Sequence, residues 1–69
     1  MGVVIDRVMP GSSADRAGLK GIDYRSRTLG DVILAVDDQE VNNIAEFVRA
    51  ILSYDIGQNI RLSVQRGDR

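Results

Sequence analysis

The 69-residue chain has no cysteine, no histidine and no tryptophan, and only one proline. Without cysteine or histidine it can form neither a disulfide nor the usual zinc site, the two staples on which small domains most often rely. A chain of this length makes one small domain with a modest buried fraction, so apolar packing or association with a partner has to hold it together. The same absences narrow the chemistry. A serine triad lacks its base, and no nucleophile–base constellation can be assembled from the serines, aspartates and lysine that remain. Paired-carboxylate catalysis needs two acids in a cleft with pKa values driven apart. The adjacent pair Asp37 and Asp38 reads instead as a turn whose side chains face solvent. Calcium-loop and phosphate-loop patterns are missing as well. The chain is therefore expected to be no enzyme and to carry no metal or cofactor.

Charge is balanced, with nine basic against ten acidic residues and a formal net charge of −1. The basic residues are scattered and no tryptophan accompanies them, so a nucleic-acid partner is not expected. No apolar run approaches the ~18 residues of a membrane-spanning helix, so membrane insertion is not expected either.

What is present alternates between strand and helix signals. Residues 2–9 read GVVIDRVM, with Val3, Val4, Ile5 and Val8 favouring a strand, and Pro10 and Gly11 end it. Residues 12–19 read SSADRAGL. Ser12 or Ser13 is placed to cap a short helix, Asp15 suits its positive end, and Gly18 is placed to close it in the left-handed conformation. Residues 20–30 form a polar stretch with Gly21 and Gly30 and read as an exposed loop. Residues 31–36, DVILAV, are a buried strand, Asp37 and Asp38 a turn, and residues 39–41 a short returning strand. Asn42 or Asn43 caps a second helix over residues 44–54. Ile44, Phe47, Val48, Ile51 and Leu52 give it one broad apolar face, with Glu46 and Arg49 spaced as a helical pair. Gly57 lies in the break after it. Residues 60–66 alternate, with Ile60, Leu62 and Val64 directed inward, and residues 67–69 read as a turn or a frayed end. The predicted order is β-α-β-β-α-β, an α+β domain with helix packed on a partly open sheet. It has no repeat and no low-complexity segment.

Several of these segments together resemble a family. Val8, Met9, Pro10, Gly11, Ser12, Ser13 and Ala14, followed by Ala17, Gly18 and Leu19, resemble the strand-to-helix segment of bacterial-type PDZ domains. Gly30 through Asp37 resembles their glycine-aspartate strand, Glu46 through Ile51 their second helix, and Gly57 through Arg66 their last strand. The ten residues between the alanine-glycine segment and the glycine-aspartate strand, Lys20 to Leu29, resemble a long insertion seen in HtrA/Deg (DegP-like) serine proteases. The insertion favours that group over C-terminal processing and site-2 proteases.

The resemblance implies a PDZ-like small sheet or barrel with two helices, residues 1–69 forming a single domain taken from a longer chain. It also implies recognition of peptides or unfolded proteins with hydrophobic C-termini or exposed apolar segments, and a covalently linked protease domain that the module regulates or targets. The compartment implied is extracytoplasmic, a periplasm or a plastid lumen. In the family the peptide's terminal carboxylate is held by a loop, and its backbone by a strand, that precede the segment matched from Gly2 onward. On the residues present, the resemblance assigns Ile44, Val48 and Ile51 to the peptide-binding side of the second helix. Phe47, Ala50 and Ile51 face the core, and Leu52 is either peripheral packing or an interface. The alternative from a different class is an assembly domain whose open sheet edge pairs with another chain, making a homo-oligomer. For the loop, solvation of Asp23, Arg25 and Arg27 competes with contact to a neighbouring protease domain.

Overall fold

The computed structural model describes residues 2–67 of the chain. Its elements run β1 (Val3–Val4), α1 (Ser13–Arg16), β2 (Val32–Val36), β3 (Gln39–Glu40), α2 (Ile44–Leu52) and β4 (Leu62–Gln65). This is the predicted β-α-β-β-α-β order in a small α+β fold, with two helices and an open four-stranded antiparallel sheet.

The sheet is built around β2. On one side β2 pairs with β4 along its whole length, from Val32 opposite Gln65 to Val36 opposite Leu62. Leu34 is a bulge in that pairing. On the other side β1 pairs through Val3 with Ile33 and Val4 with Val32, and β3 pairs through Ala35 with Glu40 and Val36 with Gln39. Thus β1 and β3 share one edge of β2, and their own far edges lie open.

The helix boundaries have local causes. Ser12 caps α1, its hydroxyl accepting from the Asp15 N–H, and Gly18 follows with φ of +87°. Asn43 caps α2 by accepting from the Glu46 N–H at 2.9 Å, while the Glu46 carboxylate accepts from the Asn42 N–H at 2.9 Å. Glu46 is thus part of a capping box and turns away from Arg49, its expected partner. Ile33, Val36, Val41 and Ala50 form the buried core, with Val3, Ile5, Phe47, Ile51, Tyr54, Ile60, Leu62 and Val64 packed around it. The last strand turns inward the side that its alternation indicated, whereas of the one broad apolar face expected for the second helix only Phe47 and Ile51 pack inward.

Two expectations are corrected, in the first strand and at Asp37. The first strand is confined to Val3–Val4, because the Asp6 carbonyl accepts from the Ile22 N–H at 2.9 Å and leaves the sheet pattern for the loop. The loop is exposed over residues 23–29, as expected, and is held by its own hydrogen bonds. Asp23 and Thr28 exchange both backbone hydrogen bonds, at 2.9 and 3.0 Å, and the Asp23 carboxylate accepts from the N–H groups of Arg25 and Ser26. Asp37 does not simply face solvent: its carboxylate accepts from the Tyr54 hydroxyl and, at 3.0 Å, from the Arg61 N–H. The expectation of a frayed end at residues 68–69 lies outside the described residues.

Candidate functional site

The open edge of β1 begins the site. The Ile5 N–H donates to the Asp31 carbonyl at 2.9 Å, so Ile5 with Asp31 and Val3 with Ile33 are the hydrogen-bonded pairs. Val4 opposite Val32 is the intervening pair, and its N–H and C=O point away from β2. Beyond Val4 the next outward carbonyl, that of Asp6, is already taken by Ile22. The exposed edge is thus short and ends where the loop crosses it.

The N-terminal end of α2 lies beside that edge. Gly2, Val3 and Val4 on one side and Asn43, Ile44 and Ala45 on the other line a shallow depression of about 580 Å³. Of the three residues assigned to peptide binding, Ile44 and Val48 stand on the solvent face of α2, 69% and 44% exposed. Ile51 lies between that face and the core and packs against the core cluster. Leu52, at 77% exposure, continues the Ile44–Val48 stripe by one more turn. Phe47 and Ala50 face inward as expected, Ala50 only 2% exposed. So α2 carries two apolar faces, one consumed by the core and one bare.

A second groove runs along the other flank of α2. It encloses about 740 Å³ between Ala14, Ala17 and Leu19 on one side and Ile51, Leu52 and Ile60 on the other.

Two polar clasps hold the frame, and neither was legible as a pair in the sequence. Asp31 is 1% exposed. Its carboxylate accepts from Arg66 Nε at 2.7 Å and Nη2 at 2.8 Å and from the Lys20 N–H at 2.9 Å, while Arg66 also donates to the Gly18 carbonyl at 2.8 Å. The Arg66 guanidinium, followed by the Lys20 N–H, holds the Asp31 carboxyl below its ordinary range against the opposing effect of burial. The ion pair spans 35 residues and left no local signal. The second clasp is Tyr54 with Asp37. The Tyr54 hydroxyl and then the Arg61 N–H lower the Asp37 pKa, and the Asp37 carboxylate raises that of Tyr54. A separate hydrogen bond from the Tyr24 hydroxyl to Asp6 secures the loop, whose Tyr24 ring and Leu29 are 72% and 74% exposed.

Among the described residues no group of three or more acidic side chains could hold a metal ion, and no helix is long and apolar enough to cross a membrane. The site is a bare apolar wall beside a strand edge, an arrangement suited to binding an extended chain.

Comparison with known proteins agrees with this architecture. Over 68 residues, 99% of this chain, it is 34% identical to HhoA of Synechocystis sp., provisionally named a serine protease. Over 64 residues, 87% of this chain, it is 38% identical to the chloroplastic Protease Do-like 8 of Arabidopsis thaliana. The chain spans only 15% and 14% of the lengths of these relatives. No solved structure matches it. A model of the PDZ domain matches residues 1–69, and the chain therefore belongs to the PDZ domain family, whose members are non-catalytic interaction modules.

Proposed function

We propose that this PDZ domain binds peptides, taking hydrophobic C-termini or exposed apolar segments of unfolded proteins, and that it regulates or targets an attached Deg-type serine protease. The observation that carries the reading is the bare Ile44–Val48 face of α2, whose Ile44 lines the depression beside the open edge of β1. Burying those side chains against an apolar ligand contributes about 1.5–3 kcal/mol per fully covered residue before the costs of association. Ile51, the third residue assigned to binding, packs against the core and lines the groove on the α1 flank. The similarity to two proteins named as proteases supports the link to proteolysis. The test is an amide-resolved NMR titration of the chain with a short peptide ending in Val or Phe, with a free carboxylate and then amidated. Shifts confined to α2 and the β1 edge support the groove. Equal binding of the amidated twin assigns recognition to apolar segments rather than termini. A well-dispersed spectrum with no shifts refutes the reading for this chain.

A second reading rests on a separate observation, the outward N–H and C=O of Val4. An open strand edge pairs with another chain as readily as with a peptide, which makes the domain an assembly element. Sedimentation at rising concentration separates the two: a constant monomeric mass excludes self-pairing of this chain.

A further inference from the structure

The helix that carries the groove is held differently at its two ends. At its start Val41 is 1% exposed, its N–H donates to the Leu34 carbonyl at 3.0 Å, and the Asn43–Glu46 capping box follows. Its middle rests on the core through Phe47, Ala50 and Ile51. After Tyr54 the chain runs through exposed residues 55–59, where Gln58 and Asp55 hydrogen-bond with one another. The polar tie from this end to the sheet is the hydrogen bond from the Tyr54 hydroxyl to Asp37. Asp37 is a firm anchor. Its other carboxylate oxygen accepts from the Arg61 N–H, its own N–H donates to the Arg61 carbonyl at 2.7 Å, and its φ is +51° at the tip of the β2–β3 hairpin. On the flank the groove of about 740 Å³ stands between α1 and this end of α2, with Leu52 and Ile56 exposed beside it.

We propose that the Tyr54–Asp37 hydrogen bond is a latch that sets the tilt of α2, and through it the position of Val48 on the bare face of the helix. Tyr54 is then a positioning residue for peptide binding, a role that rests on the peptide-binding reading above. The nine residues of α2 span about 13 Å. A swing of about 10° around the capping box moves the far end by roughly 2 Å and Val48 by roughly 1 Å. A gap of about 1 Å forfeits up to half of a dispersion contact, so the wall at Val48 loses hold of an apolar ligand while Ile44, near the pivot, keeps it.

The test uses Tyr54→Phe, which removes the hydroxyl alone. Tyr24→Phe is the matched control, because it removes the other tyrosine–aspartate hydrogen bond, on the loop and away from α2. Asp37→Asn keeps one acceptor oxygen for the Arg61 N–H, offers an amide N–H that donates to the Tyr54 hydroxyl oxygen, and tolerates positive φ. Residual dipolar couplings report the orientation of α2 against β2 and β4 in the free domain, and a peptide ending in Val with a free carboxylate is titrated in parallel. Tyr54→Phe is expected to rotate α2 and weaken binding about three- to tenfold, corresponding to the loss of one hydrogen bond. Tyr24→Phe leaves both readouts unchanged, and Asp37→Asn stays near wild type. An α2 orientation in Tyr54→Phe that coincides with wild type overturns the latch. So does a rotated helix with unchanged affinity. If the wild-type domain binds no peptide, the peptide-binding reading is the one refuted, and the latch stands or falls on the couplings alone.

Discussion

Gly30 sits where three backbone segments cross, and replacing it with alanine is the sharpest test of the frame around the groove. A Cβ at Gly30 lies 2.3 Å from the Ile5 carbonyl oxygen, 2.7 Å from the Gly21 carbonyl carbon and 2.9 Å from the Ile22 nitrogen. All three are backbone atoms, so no side chain can rotate away, and β1 and the loop must move apart by most of an ångström. Overpacking of this kind costs about 1–3 kcal/mol, and the all-backbone surroundings place Gly30→Ala near 3. A domain of this size is stable by roughly 3–10 kcal/mol. With about 4–8 °C of melting temperature per kcal/mol, the variant is expected to melt at least about 12 °C below wild type. Gly57→Ala is the complementary case: its Cβ meets nothing within 4 Å, but its φ is +89°. That variant pays only the conformational cost of about 1–2 kcal/mol. Thermal unfolding of both, followed by circular dichroism, measures the difference. A Gly30→Ala melting temperature within about 3 °C of wild type, or above that of Gly57→Ala, refutes the close crossing of β1, loop and β2.

Two further outcomes follow from the core and the buried clasp. Val36, 1% exposed, loses two buried methyl groups on conversion to alanine, a cost of about 2–3 kcal/mol including the cavity, read as a lower urea midpoint at constant slope. Asp31 has its folded-state pKa lowered by Arg66, so its contribution to stability is present above the unfolded carboxylate pKa of about 4 and is lost as pH falls through the folded value. The urea midpoint should decline below about pH 4, and Asp31→Asn should be less stable near neutral pH and show a shallower acid decline; an identical acid profile in the variant removes Asp31 from the cause. Asp23 and Asp37, also lowered, act in the same direction.

Much of this protein was legible before any coordinates, wherever the determining interaction is local. A helix cap acts over three residues, so Ser12 and Asn43 mark helix starts on their own. Alternation placed Leu62 and Val64 inward, because side-chain direction follows the period of the element, whereas it was the family resemblance that placed Phe47 and Ala50 toward the core. What only the tertiary structure decided depends on partners far apart in the chain. Arg66 finds Asp31 across 35 residues and Tyr54 finds Asp37 across 17, and no spacing rule connects them. Nor did the pattern reveal that the loop would seize Asp6 and shorten β1, since that hydrogen bond exists only once Gly21 and Gly30 let three segments touch. The apolar residues of α2 were visible as one broad stripe in the sequence. Its division into a buried half and a bare half was settled by where the sheet stops, because hydrophobicity specifies that a side chain prefers burial but only the packed neighbours determine whether it is covered.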